Sequence, residues 1–202
     1  MILLSLPWLF PLVAAENDAH PLIDQELSKW TSLGKAEWKV EKGVLFGGQF
    51  GDPKKSGLLT TKKMYQDFEL SMEFMIDEHG KYNSGVYLRN QPGSARMTGY
   101  QVNIGRGAAE EYVGLYRNGW LDKGDEKDDI RKVLKWNQLR IRARGPHIEV
   151  WLNGIQIVDY TDPKPAPELL NEGTIGLQTY GAEGHAGWVK FRKITIKELE
   201  TK

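Results

Sequence analysis

Between Asp67 and Asp77 the chain alternates apolar and polar side chains. Phe68, Leu70, Met72, Phe74 and Ile76 fall on one face, with Glu69, Ser71 and Glu73 on the other. This period of two is the mark of a strand with one buried face. It recurs in Ser84 to Asn90, where Val86 and Leu88 oppose Tyr87 and Arg89, and in Tyr100 to Ile104, where Gln101 and Asn103 are the polar set. Gln138 to Ala143 and Ile148 to Leu152 repeat it, the second with Glu149 and Trp151 on the polar side. Strands of this kind build antiparallel sheets packed on one side.

The links carry matching turn chemistry. Arg144-Gly145-Pro146 separates two strands, and Asn153-Gly154 is a two-residue hairpin signal before Ile155 to Val158. Thr174 to Gln178 and Trp188 to Glu198 read as the last strands. No segment carries a long stripe of period 3.6. A short helix is expected at Pro21 to Trp30, and one turn at Pro165 to Asn171. Ten or more short strands in one domain predict an all-β jelly-roll sandwich of two antiparallel sheets.

The N-terminus sets the boundaries. Ile2 to Ala15 is almost wholly apolar and ends in Val13-Ala14-Ala15, which fits a signal peptide cut after Ala15. The run is shorter than the roughly 20 apolar residues of a membrane helix. The expected organisation is therefore a signal peptide at 1–15, an extension at 16–29 and a single sandwich at 30–202, in a secreted or periplasmic protein without a membrane span.

Composition narrows the chemistry. Twenty-seven basic residues balance 27 acidic ones, so the excess of positive charge that a nucleic-acid binder shows is missing. With no cysteine, disulfides, thiolate metal sites and a cysteine nucleophile are excluded. The 22 glycines and 21 aromatic side chains fit a turn-rich β protein. From Gly119 to Lys132 charges of both signs crowd together, which reads as a solvated loop; Asp125, Asp128 and Asp129 could alternatively offer oxygens to calcium.

No motif names a reaction. What stands out is a set of polar side chains with the same outward parity: Glu73, Tyr87, Arg89, Gln101 and Asn103. On neighbouring strands they would line one surface, with Tyr116 and Trp151 as walls. Amides, a guanidinium and aromatic faces suit sugar hydroxyls and ring faces. An ordinary solvated face of cross-strand pairs uses the same residues. Of the four histidines, His20, His79 and His147 read as surface positions, and His185 lies in the glycine-rich loop Tyr180 to Gly187 beside a strand end. Such a loop can carry Glu183 or His185 over a sheet face for acid–base work.

Several segments occur together in a familiar order. They include Trp38-Lys-Val-Glu-Lys-Gly-Val-Leu45, Asn83-Ser84-Gly85-Val86-Tyr87-Leu88-Arg89, Gly99-Tyr-Gln-Val-Asn103, Trp151-Leu-Asn-Gly154 and Gly173-x-Ile-Gly-Leu-Gln178. From Trp30 to Leu199 the chain resembles the 3-keto-disaccharide hydrolase family, also described as 3-keto-glucoside 1,2-lyase/2-hydroxyglucal hydratase. The resemblance implies a concanavalin A-like fold, secretion and action on 3-keto sugars that an upstream sugar 3-oxidoreductase would supply. A C3 ketone acidifies the C2 proton, so a base can remove it and the C1 substituent can leave. The resemblance casts Glu73 and His185 as acid or base and Arg89 as the clamp on the enolate. Gln101 and Asn103 would orient the sugar, with Tyr87, Tyr116 and Trp151 beside them. A divalent metal ion could serve as electrophile instead of, or beside, the arginine. Family members often carry Glu where this chain has Gln101. An amide cannot take a proton, so a carbohydrate-binding module on the same scaffold is the alternative.

Overall fold

The structure is a computed structural model that describes residues 19–49, 54–78, 82–181 and 186–200. The expected signal peptide, His79 and His185 lie outside them. In chain order the strands are β1 (His20–Pro21), β2 (Trp30–Gly34), β3 (Glu37–Glu41), β4 (Val44–Gly48) and β5 (Gly57–Thr61). Next come β6 (Phe68–Ile76), β7 (Asn83–Asn90), β8 (Tyr100–Ile104), β9 (Gly114–Tyr116) and β10 (Trp120–Asp122). The last are β11 (Asn137–Arg144), β12 (His147–Leu152), β13 (Ile155–Thr161), β14 (Thr174–Tyr180) and β15 (Trp188–Glu198).

They form two antiparallel sheets. The first runs β13-β12-β11-β6-β15-β4-β3, with β1 also paired to β15; the second runs β10-β9-β8-β7-β14-β5-β2. Non-consecutive neighbours such as β6–β15 and β7–β14 give the jelly-roll connectivity that the alternation predicts. The apolar faces meet between the sheets, where Phe68, Leu70, Phe74 and Phe191 of the first pack with Val86, Tyr100, Val102 and Leu177 of the second, each fully buried. Removing this apolar area from water is the main force that holds a chain with no disulfide.

Pro21 to Trp30 is not helical. Leu22 is buried, its amide donates to the Ile194 carbonyl, and the Trp30 indole donates to the Leu22 carbonyl. Leu27 has φ +52°, outside helical geometry. Burial of Leu22 and pairing with β15 outweigh a weak local helix preference, so from His20 onward the expected extension is part of the sandwich. The turn expected at Pro165 to Asn171 is a short 3₁₀ turn at Pro167–Leu169.

The charged stretch also differs from a solvated loop. It opens with β10, and the buried Asp125 carboxylate accepts the backbone N–H groups of Asp129, Ile130 and Arg131. Arg131 is itself buried, bonded to Asp128 and Glu78. Asp125 and Asp128 are thus committed to holding the loop. Among the described residues no group of three or more His, Asp or Glu is arranged to hold a metal ion.

Two bulges reverse the side-chain parity. The β7–β14 register shifts between Thr174 and Gly176, with Arg89 at φ +52°. The β15–β6 register shifts between Arg192 and Thr195, with Lys193 at φ +52°. A single extra residue turns every later side chain to the other face.

Candidate functional site: an amide network on the outer face of the second sheet

Registers on the outer face of the second sheet place Tyr116 beside Gln101, Gln101 beside Tyr87, and Tyr87 beside Gly176. One row along, Asn103 lies beside Gly85 and Gly85 beside Gln178; a further row pairs Asn83 with Tyr180. Period-two alternation alone puts these side chains on one face. Gly85 leaves the space into which the Gln101 side chain lies.

The polar groups form one continuous network. Gln178 Nε2 donates to the Tyr87 hydroxyl at 2.9 Å, and Gln101 Nε2 donates both to Gln178 Oε1 at 3.1 Å and to Asn103 Oδ1 at 2.9 Å. Asn103 Nδ2 donates to Glu111 Oε2 at 3.2 Å and to the Tyr112 carbonyl at 2.8 Å. Gln101 and Asn103 are buried, and donors in such a chain polarise one another. The chain of donors from Gln101 ends on the Glu111 carboxylate. Burial pushes the Tyr87 phenol up to about 12, against the opposing bond from Gln178, so its own O–H remains available to donate.

Glu111 reaches the network because of its loop. After a 3₁₀ turn at Gly107–Ala109, Glu110 takes φ +57° and the Glu111 amide donates back to the Arg106 carbonyl. Its backbone passes so close to Gly105 that a β-carbon there would fall 2.0 Å from the Glu111 carbonyl oxygen. Trp120 forms a wall, gripped by Tyr112 at 5.2 Å and edge-on by Tyr116 at 5.5 Å between ring centroids. Together with Asn83, Gln178 and Tyr180 these groups enclose a cleft of about 210 Å³. Asn83 Oδ1 is buried at this cleft with no hydrogen-bond partner among the described residues, an acceptor without a donor.

Of the residues expected at one site, Tyr87, Gln101, Asn103 and Tyr116 come together. Glu73 and Trp151 do not. Their strands, β6 and β12, belong to the first sheet, so equal outward parity places them on the opposite surface of the sandwich. There they border a separate groove of about 360 Å³. Arg192 at 2.5 Å and Lys193 at 2.7 Å grip the Glu73 carboxylate. Burial alone would raise its pKa, but bonds and charge from these two cations outweigh it and hold it below the usual carboxylate range. Trp151 lies under the Arg140 guanidinium, 3.8 Å from the ring centroid.

Arg89 is also displaced. The bulge turns it into the interior, where it donates to the carbonyls of Gln66, Gly145 and Leu169 and pairs with the buried Asp67. Burial pulls its pKa below the ordinary value, and Asp67 opposes that. It ties loops together and reaches no cleft residue. His185 lies outside the described residues.

Sequence parity could have added Gln178 and Tyr180, since Gly176, Gln178 and Tyr180 alternate on one face. Glu111 and Trp120 carry no such signal. They sit in irregular or very short segments, and loop geometry alone brings them in.

Residues 18–197 match the family described as 3-keto-alpha-glucoside-1,2-lyase-like domain, and the chain belongs to that family of carbohydrate-related domains. Its fold is shared with solved structures. A proposed glycosyl hydrolase of Parabacteroides distasonis is 24% identical with a TM-score of 0.66, covering 91% of this chain and 100% of that one. The carbohydrate-binding module CBM66 of Bacillus subtilis is 17% identical with a TM-score of 0.58, covering 84% and 96%. A Bacillus subtilis protein of galectin-like fold is 12% identical with a TM-score of 0.62, covering 91% and 96%. No curated protein matches the chain.

Proposed function

We propose that the protein cleaves the glycosidic bond of 3-keto-glycosides in the cleft of Gln101, Asn103, Glu111, Tyr116 and Trp120. The observation that carries this is the Glu111 carboxylate at the end of the donor network. Position 101 offers only an amide, and Glu111 supplies the proton acceptor two hydrogen bonds along.

Glu111 takes the C2 proton as the C2–H bond breaks, and the electron pair passes to the C3 oxygen as an enolate. Collapse of the enolate breaks the C1–O bond and expels the leaving group, whose oxygen takes the proton back from Glu111, leaving a C1=C2 double bond and the carboxylate restored. Water then returns a hydroxyl to C1 and a proton to C2. Asn83 Oδ1, an acceptor without a donor, suits a sugar hydroxyl. The Tyr116 and Trp120 rings suit apolar sugar faces.

Release of aglycone from a 3-keto-glucoside tests this. Wild type should turn over, and Glu111→Gln should lose about 10²–10⁴-fold in rate while still binding. Binding by wild type without turnover would overturn catalysis and leave the cleft as a carbohydrate-binding module. The same reading has an upstream sugar 3-oxidoreductase supply the substrate and has the protein exported after cleavage at Ala15, which N-terminal sequencing of the secreted protein checks.

A further inference from the structure

A second cleft of about 340 Å³ adjoins the first and shares Gln178 and Tyr180 with it. Gly34 and Gly57 add no side chains to it, while Arg96 and Met97 line it from the loop between β7 and β8. That loop is held in shape from within. The fully buried Asn90 donates to the Ser94 and Arg96 carbonyls and accepts from the Thr98 amide and hydroxyl. Four bonds to one buried amide fix where Arg96 and Met97 stand.

The contacts of Arg96 all run through its backbone, and its guanidinium has no ion-pair partner among the described residues. No carboxylate is among the described residues lining this cleft. Tyr180, 44% exposed, stands at the boundary of both clefts. The groove therefore passes from a compartment lined by amides, aromatic rings and the Glu111 carboxylate to one with an unpaired cation, an aromatic ring and a thioether.

We propose that the second compartment binds an anionic leaving-group portion of the glycoside, a carboxylate or sulfate ester carried on its second unit, with Arg96 as the specificity-determining residue. Guanidinium donors match the paired oxygens of either anion, and Met97 and Tyr180 offer apolar contact to the ring that carries it. This rests on the sugar reading of the first cleft.

Titration calorimetry on the full chain tests it with three disaccharides that differ only in the second unit: neutral, uronic acid and sulfated. Wild type should bind one or both acidic ligands about tenfold or more tighter than the neutral one. Arg96→Gln should erase that preference, the acidic ligands then binding no more tightly than the neutral one. The more strongly preferred acid identifies the anion. Equal affinity for all three in wild type, or a preference that survives Arg96→Gln, overturns the proposal. If the neutral ligand binds and Gln101→Ala abolishes its binding, the first-cleft reading stands whatever Arg96 does; failure to bind any of the three overturns both.

Discussion

Gly85 lies directly beneath Gln101: a β-carbon at position 85 would sit 2.5 Å from Gln101 Nε2 and 3.0 Å from its Cδ and Cγ. The network joining Tyr87, Gln178, Gln101, Asn103 and Glu111 depends on this missing side chain.

Gly85→Ala should therefore separate function from stability. The Gln101 side chain can swing aside, and Ala suits a strand better than Gly, so stability should change by no more than about 1 kcal/mol. The displaced amide loses its bonds to Gln178 and Asn103. Ligand affinity should fall about tenfold or more by calorimetry, beside a melting temperature close to wild type. Unchanged affinity would show that the network is not used.

Arg89→Met should do the reverse. Arg89 and Asp67 side chains are 1% and 4% exposed, and removal of the cation leaves a buried carboxylate with a partner missing. Breaking such a pair costs about 3–5 kcal/mol, read as a fall in the denaturant midpoint. In folded protein at low temperature the ligand affinity should be retained, because no donor of Arg89 reaches the cleft.

Glu73→Gln should leave binding and turnover unchanged, since Glu73 faces the opposite surface. Its effect belongs to acid stability. The folded pKa is held below the ordinary value of 4.5, so the stabilising contribution is fully present above that value and is lost as pH falls through the lower folded one. Wild type and variant should thus differ most near neutral pH and converge in strong acid. A variant as inactive as Glu111→Gln would restore Glu73 to the catalytic machinery.

Tyr87 should stay protonated throughout the working range, because burial raises its pKa to about 12. It should add no pH dependence to ligand affinity between about pH 6 and 10. Tyr87→Phe removes the acceptor of the Gln178 amide and a donor to the ligand, which should weaken binding by about 1–2 kcal/mol at every pH in that range. A wild-type affinity that drops with a midpoint near pH 9 would contradict this.

Strand alternation made most of the fold legible in the sequence. Phe68, Leu70, Met72, Phe74 and Ile76 define a buried face at any register, and Asn153-Gly154 marks its hairpin without tertiary help. Four residues expected at one site come together for the same reason: Tyr87, Gln101, Asn103 and Tyr116 sit on β7, β8 and β9, which are neighbours. Glu73, Trp151 and Arg89 lie elsewhere for two separate physical causes, and His185 falls outside the described residues. Glu73 and Trp151 have the right parity in the wrong sheet, and parity carries no information about which sheet a strand joins. Arg89 has the right sheet, but the bulge at φ +52° turns it inward.

The residues alone thus determined the sandwich, its polar outer faces and the family membership carried by the ordered segments, because each depends on contacts or patterns local in the chain. Tertiary structure gathered Gln101, Asn103 and Tyr116 with Glu111 and Trp120 at one cleft, set Glu73 and Trp151 at a groove on the opposite face, and turned Arg89 into the interior. Those outcomes depend on strand order, bulges and loop paths. They are set by how the two sheets bury their apolar faces against each other, across separations that no local pattern spans.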